Sequence, residues 1–84
     1  MTDVVIYTRD FCGYCAAAKR LLDRKGVSYT EHNASADPAK RQEMMARSGR
    51  MTFPQVFVGD AHVGGCDDLH ELERRGGLDA LIVA

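Results

Sequence analysis

Apolar and polar residues follow one another with changing period along the chain. Val4-Val5-Ile6-Tyr7-Thr8 is an unbroken apolar run rich in β-branched residues. It predicts a strand covered on both faces, as in parallel sheets. After Cys15 the period lengthens. Ala16, Ala17, Ala18, Leu21 and Leu22 favour a helix, and Ala18, Leu21 and Leu22 share one face at i, i+3, i+4. This helix is predicted to run from Cys15 to about Lys25, where Gly26 stops it. Val27 to His32 alternates like a half-exposed strand. Asp37-Pro38 opens a second helix, with Asp37 capping the free N–H groups and Pro38 at the first helical position. That helix ends near Ser48, before Gly49, and its polar face carries Lys40, Arg41, Glu43 and Arg47.

Gln55-Val56-Phe57-Val58 and Ala61-His62-Val63 read as short strands joined at Gly59-Asp60. A third helix starts near Asp67-Asp68, with acids at its positive end and Arg74-Arg75 at its negative end. Gly76-Gly77 breaks it, and Leu78 to Ile82 forms a short helical tail. The order is β-α-β-α-β-β-α. A strand–helix–strand unit implies a right-handed parallel crossover. A hairpin then completes a four-stranded mixed sheet with helices on both faces. This α/β order is that of the thioredoxin fold, in one domain over residues 1–84.

Charge narrows the partners. Eleven Lys+Arg stand against twelve Asp+Glu, so no global basic excess exists for nucleic acid or an anionic membrane. No apolar run approaches the roughly 18–20 residues of a membrane span. Met1 to Ile6 has neither a basic start nor a long apolar stretch, so it does not resemble a secretory leader. The expectation is a cytoplasmic protein. There are three cysteines, an odd number that fits no closed disulfide framework. In a reducing compartment such cysteines are catalytic or metal-binding more often than structural.

Cys12-Gly13-Tyr14-Cys15 lies at the first strand-to-helix turn. Two cysteines three apart there can close a tight disulfide. Free N–H groups at the helix start stabilise a thiolate at Cys12, as does the nearby Arg9. Cys12 is therefore the candidate nucleophile, and Cys15, one turn in, the second-acting thiol. The same spacing could be half of a zinc site. Zinc takes four ligands, and here only Cys66 remains, with no His pair at ligand spacing among His32, His62 and His70. The three histidines read as surface or edge residues.

With these residues in view, the chain resembles the glutaredoxins. Four segments carry the resemblance in order: Ile6-Tyr7-Thr8-Arg9, Cys12-Gly13-Tyr14-Cys15, Thr52-Phe53-Pro54-Gln55-Val56-Phe57 and Gly64-Gly65-Cys66-Asp67-Asp68-Leu69. The ending Arg75-Gly76-Gly77-Leu78-Asp79 is also similar. The resemblance implies glutathione as a reducing co-substrate and a cis proline at Pro54 against the active-site cysteine. It implies that Phe53, next to Thr52, presents its backbone to glutathione like an added strand. Gly64-Gly65 would admit the ligand closely, and the helix start at Cys66-Asp67 would receive the γ-glutamyl carboxylate. Asp67 and Asp68 would take the ammonium, or only cap the helix. Arg9 would serve the thiolate and the glycyl carboxylate. Tyr14 would flank the glutathione sulfur. Lys40 and Arg41 could add carboxylate contacts or simply face solvent.

The implied activity is reduction of protein disulfides and glutathione mixed disulfides, by a monomer with no tightly bound cofactor. Two departures bear on it. The family usually has proline between the cysteines, where this chain has Gly13. In that family, loss of the proline goes with a [2Fe–2S] cluster held between two subunits by Cys12-type thiolates and glutathione. A cluster-bridged dimer is thus one rival reading. The other departure is Cys66, either a small buried residue at a helix start or a secondary redox site that glutathione modifies. A second rival is a redoxin served by thioredoxin reductase, against which the Gly-Gly-x-Asp-Asp element weighs.

Overall fold

A computed structural model describes residues 2–83. The elements run β1 (Val4–Thr8), α1 (Gly13–Arg24), β2 (Thr30–Asn33), α2 (Pro38–Ser48), β3 (Gln55–Val58), β4 (Ala61–Gly64), α3 (Cys66–Arg74) and α4 (Gly77–Val83). The sheet order is β2-β1-β3-β4. β1 pairs with β2 in parallel, Val5 opposite Thr30, and with β3 antiparallel, Ile6 opposite Val56. β3 and β4 form the expected hairpin, with Val58 opposite Ala61 and a register shift between Val56 and Phe57. The expected mixed four-stranded sheet with helices on both faces is present.

The sheet separates two unequal cores. On one face Val4, Ile6, Ala18, Leu21, Leu22, Val56, Val58, Leu69, Leu78 and Ile82 form an aliphatic cluster, with side chains from α1, α3 and α4. On the other face Tyr7, Phe57 and Met44 of α2 make a smaller cluster. That side is partly polar. The Tyr7 hydroxyl bonds Glu43 and receives Arg47 Nη1 at 2.9 Å, and the Arg47 guanidinium lies 4.1 Å from the Phe57 ring centroid. Burial, then the bond to Glu43, pushes the Tyr7 phenol above its usual range.

Three boundaries differ from expectation. α1 begins at Gly13, before Cys15, because Cys12 is already its N-cap. β2 begins at Thr30, not Val27. Val27 and Tyr29 instead pack as irregular chain against the aliphatic core, so their alternation reports burial without strand pairing. Finally, the tail forms a distinct helix starting at Gly77.

Candidate active site

The site is built where β1 delivers the chain to α1. Cys12 caps that helix with extended backbone, φ −120° and ψ 103°, and its Sγ accepts the Cys15 N–H at 3.1 Å. One donor that a helix start leaves free is thus turned onto sulfur. No acidic residue stands in the first turn of α1, so nothing there offsets its positive end. Cys12 and Cys15 are joined as a disulfide, with Cα atoms 5.2 Å apart. Cys15 is 2% exposed, whereas Cys12 is only half-buried, so Cys12 is the more open residue of the pair.

A shallow groove of about 170 Å³ adjoins this pair, lined by Tyr14, Phe53, Pro54, Gly65, Cys66, Asp67 and Asp68. Seven of the residues singled out from the sequence therefore meet in one place. The Phe53–Pro54 peptide is cis, and the Phe53 carbonyl lies 3.9 Å from Cys12 Sγ. The Arg41 guanidinium stands 5.8 Å from the Phe53 ring centroid, which brings a cation to the groove edge. Lys40 instead pairs with Glu43 on its own helix at 3.6 Å. A larger hollow of about 230 Å³ lies between His62, Leu72 and Leu81, but none of the cysteines lines it.

Two predicted residues lie outside the lining. Arg9 Nη1 donates to the carbonyls of Asp10 and Phe11, at 3.1 and 3.2 Å, so its charge rests on its own loop. Thr52 is exposed, but its carbonyl and hydroxyl both accept from Gln55 Nε2 at 3.1 Å. Gln55 is fully buried, and its Oε1 lies 2.7 Å from His62 Nε2. Since the Gln55 amide nitrogen faces the Thr52 carbonyl, its oxygen faces His62, which must then donate. His62 also stacks on Phe57, with centroids 4.9 Å apart, and its burial holds its pKa low. His62 does lie on the edge strand β4, as expected, and its ring is tied inward to Gln55 and Phe57. His32 contacts the Tyr7 ring at 5.3 Å, and His70 Nδ1 lies 2.8 Å from the Cys66 carbonyl oxygen.

The start of α3 forms the other wall. Gly64 has φ +116°, and a Cβ there would overlap the Asp68 carboxyl, so glycine is required. Asp68 Oδ2 accepts from the Gly65 N–H at 2.9 Å and from Arg50 Nη1 at 3.1 Å. These contacts, the backbone bond first, hold its carboxyl below the usual range. Asp68 therefore caps the helix and ion-pairs; Asp67 is exposed. Burial first, then the Asp67 charge, pushes the Cys66 thiol up. Arg50 was not foreseen, because nothing local in the sequence ties it to a residue 18 positions away. Gln55 did carry a signal, a polar residue opening an apolar strand. Among the described residues no group of three or more His, Cys, Asp or Glu side chains could hold a metal ion.

Comparison with known proteins accords with this geometry. The glutaredoxin family model matches residues 4–63. Glutaredoxin 3 of Escherichia coli strain K12 is 54% identical over 82 residues, covering 98% of this chain and 99% of its own length. The solution structure of a glutaredoxin from Brucella melitensis is 61% identical with a TM-score of 0.85, covering 98% of this chain and 89% of that one. The crystal structure of a buckwheat glutaredoxin–glutathione complex is 30% identical with a TM-score of 0.88, covering 98% of this chain and 77% of that one. The sheet order, the Cys12–Cys15 pair and these matches agree: this chain belongs to the glutaredoxin family, whose chemistry is thiol–disulfide exchange.

Proposed function

We propose that the protein uses glutathione to reduce glutathione mixed disulfides and protein disulfides, with Cys12 as nucleophile and Cys15 as resolving thiol. One observation carries this reading: the accessible sulfur is the one at the helix end beside the groove, and its partner is buried. The buckwheat relative in complex with glutathione supports the choice of co-substrate.

The Cys12 thiolate attacks the sulfur of glutathione in a mixed disulfide. A bond forms between Cys12 Sγ and that sulfur, the old S–S bond breaks, and its electron pair leaves with the substrate thiolate. A second glutathione thiolate then attacks the Cys12-bound glutathione, releasing glutathione disulfide and restoring the Cys12 thiolate. With a protein disulfide as substrate, the Cys15 thiolate instead attacks Cys12 Sγ of the enzyme–substrate mixed disulfide. The Cys12–Cys15 bond closes, the substrate leaves as a dithiol, and two glutathiones then reduce the pair with release of glutathione disulfide. The Cys15 N–H stabilises sulfur charge at Cys12 throughout. The Phe53 backbone and the start of α3 would hold the peptide backbone and γ-glutamyl end of glutathione, with Asp67, Tyr14 and the Arg41 cation around it.

A [2Fe–2S] cluster fits one chain poorly, since the accessible Cys12 is its single suitable sulfur. Two copies and two glutathiones would have to complete the ligand set. The decisive experiment offers a glutathione mixed disulfide with glutathione and its reductase, or with thioredoxin reductase alone. Turnover in the first arm is expected. Turnover confined to the second would overturn the glutathione reading.

A further inference from the structure

Phe11 stands out on two counts that the chemistry above does not use. Its side chain is 100% exposed, the most exposed large hydrophobic among the described residues. Its backbone has φ +55°, the one non-glycine residue among those described in the left-handed region. A bulky residue there is disfavoured and persists only where its surroundings impose it. They do so here. Asp10 N–H donates to Ser35 Oγ at 2.8 Å, and Asn33 Nδ2 donates to Asp10 Oδ1 at 2.8 Å. Asn33 Oδ1 in turn accepts the Ser35 N–H at 2.9 Å, and Arg9 clamps the carbonyls of Asp10 and Phe11 from the other side. The turn after β2 thus pins the loop, and the loop holds an aromatic ring in water one residue before the reacting sulfur.

Two other exposed apolar side chains stand close in the chain to residues of the site. Tyr14, 68% exposed, follows Cys12, and Met51, 66% exposed, stands two residues before Phe53. A substrate sulfur bonded to Cys12 brings its own neighbouring residues near the chain that flanks Cys12, and Phe11 is the residue immediately before it. We propose that Phe11 is a docking residue for protein substrates, favouring segments with an apolar side chain next to the disulfide-bearing cysteine. This rests on the thiol-exchange reading above. Covering part of an aromatic ring is enough for a preference of about five-fold. A small glutathione disulfide, with no flanking chain, draws nothing from the contact. Arg9 then acts as a positioning residue for Phe11.

The test uses three glutathione mixed disulfides: with 2-mercaptoethanol, with a peptide cysteine flanked by leucines, and with the same peptide flanked by serines. The variants are Phe11→Asn, because asparagine tolerates the left-handed backbone, and Phe11→Trp. Wild type is expected to show about five-fold higher kcat/KM for the leucine peptide than for the serine peptide. Phe11→Asn should erase that ratio, and Phe11→Trp should keep it. Equal wild-type turnover of the two peptides would overturn the proposal. So would a Phe11→Asn loss of the same size on the 2-mercaptoethanol disulfide, since Phe11 would then act on Cys12 and not on the partner. Wild type inactive on all three would instead bring down the thiol-exchange reading itself.

Discussion

Two helices of this small protein begin at a cysteine, and both cysteines border the same groove, yet their surroundings oppose one another. Cys12 caps α1, is partly open to solvent, receives the Cys15 N–H and has no acid in the turn that follows. Cys66 is the first residue of α3, is 9% exposed, and is followed by Asp67 and Asp68. A helix N-terminus lowers a thiol pKa only where the thiolate stays solvated and no carboxylate cancels the field. At Cys66 burial and Asp67 both work the other way and keep the thiol neutral. Helix position alone therefore does not make a cysteine reactive.

The widest break in this comparison comes from removing each sulfur in turn. Cys12→Ser should lower turnover of a glutathione mixed disulfide on the order of a thousand-fold or more. Cys66→Ser should leave it within about two-fold, since a neutral buried thiol supplies no nucleophile. Steady-state assays of the two variants side by side check this, and comparable losses would erase the distinction. Cys15→Ser should fall between them. It keeps the glutathione route and loses reduction of protein disulfides that need both thiols. If it is as inactive as Cys12→Ser on a small mixed disulfide, the assignment of roles is wrong.

The next effect concerns the acids that distinguish α3. Replacing Asp67 and Asp68 together with alanine should raise the KM for glutathione-bearing substrates about ten-fold, as expected for one lost charged contact. It should also speed alkylation of Cys66 in the Cys12→Ser/Cys15→Ser background, because Asp67 no longer raises its pKa. An unchanged KM would reduce both acids to structural roles.

A smaller effect separates the two acids. Asp68→Ala removes the bond to Gly65 N–H and should cost about 1 kcal/mol in chemical denaturation, whereas Asp67→Ala should cost little. The Asp68 carboxyl titrates below its unfolded value. Its stabilisation is therefore complete above about pH 4 and is lost as pH falls through its depressed folded pKa. Asp68→Asn should flatten that acid limb of the stability curve. The smallest expected change is at the first residue of α1. A Cβ at Gly13 would meet nothing within 4 Å, and Cys12 before it has the extended backbone that precedes proline. Gly13→Pro should raise stability by about 0.4–1 kcal/mol, seen as a higher Tm. A lower Tm would show that the turn needs glycine after all.

How readily each element could be read follows the range of the forces that form it. α2 was legible to the residue, because Asp37, Pro38 and Gly49 act on their own helix ends. β2 was displaced by three residues at its start, because pairing with β1 and not alternation decides where a strand begins. Cys12, Cys15 and most of the groove residues were legible from the motifs. The hold of Gln55 on Thr52, the His62 contact behind it and the Arg50–Asp68 pair were not. The last two join residues distant in the chain, and the first depends on the cis Phe53–Pro54 turn between its partners.

The sequence by itself determined the element order, the strong local stops and the closely spaced Cys12–Cys15 pair, since these depend on neighbours within one helical turn. Only the tertiary structure decided which cysteine is open to a partner, and that two helix starts share one groove. It alone set Arg9 on its own loop and the Phe11 ring in solvent. Exposure, desolvation and the field of a distant carboxylate are properties of three-dimensional separation, and separation along the chain does not encode them.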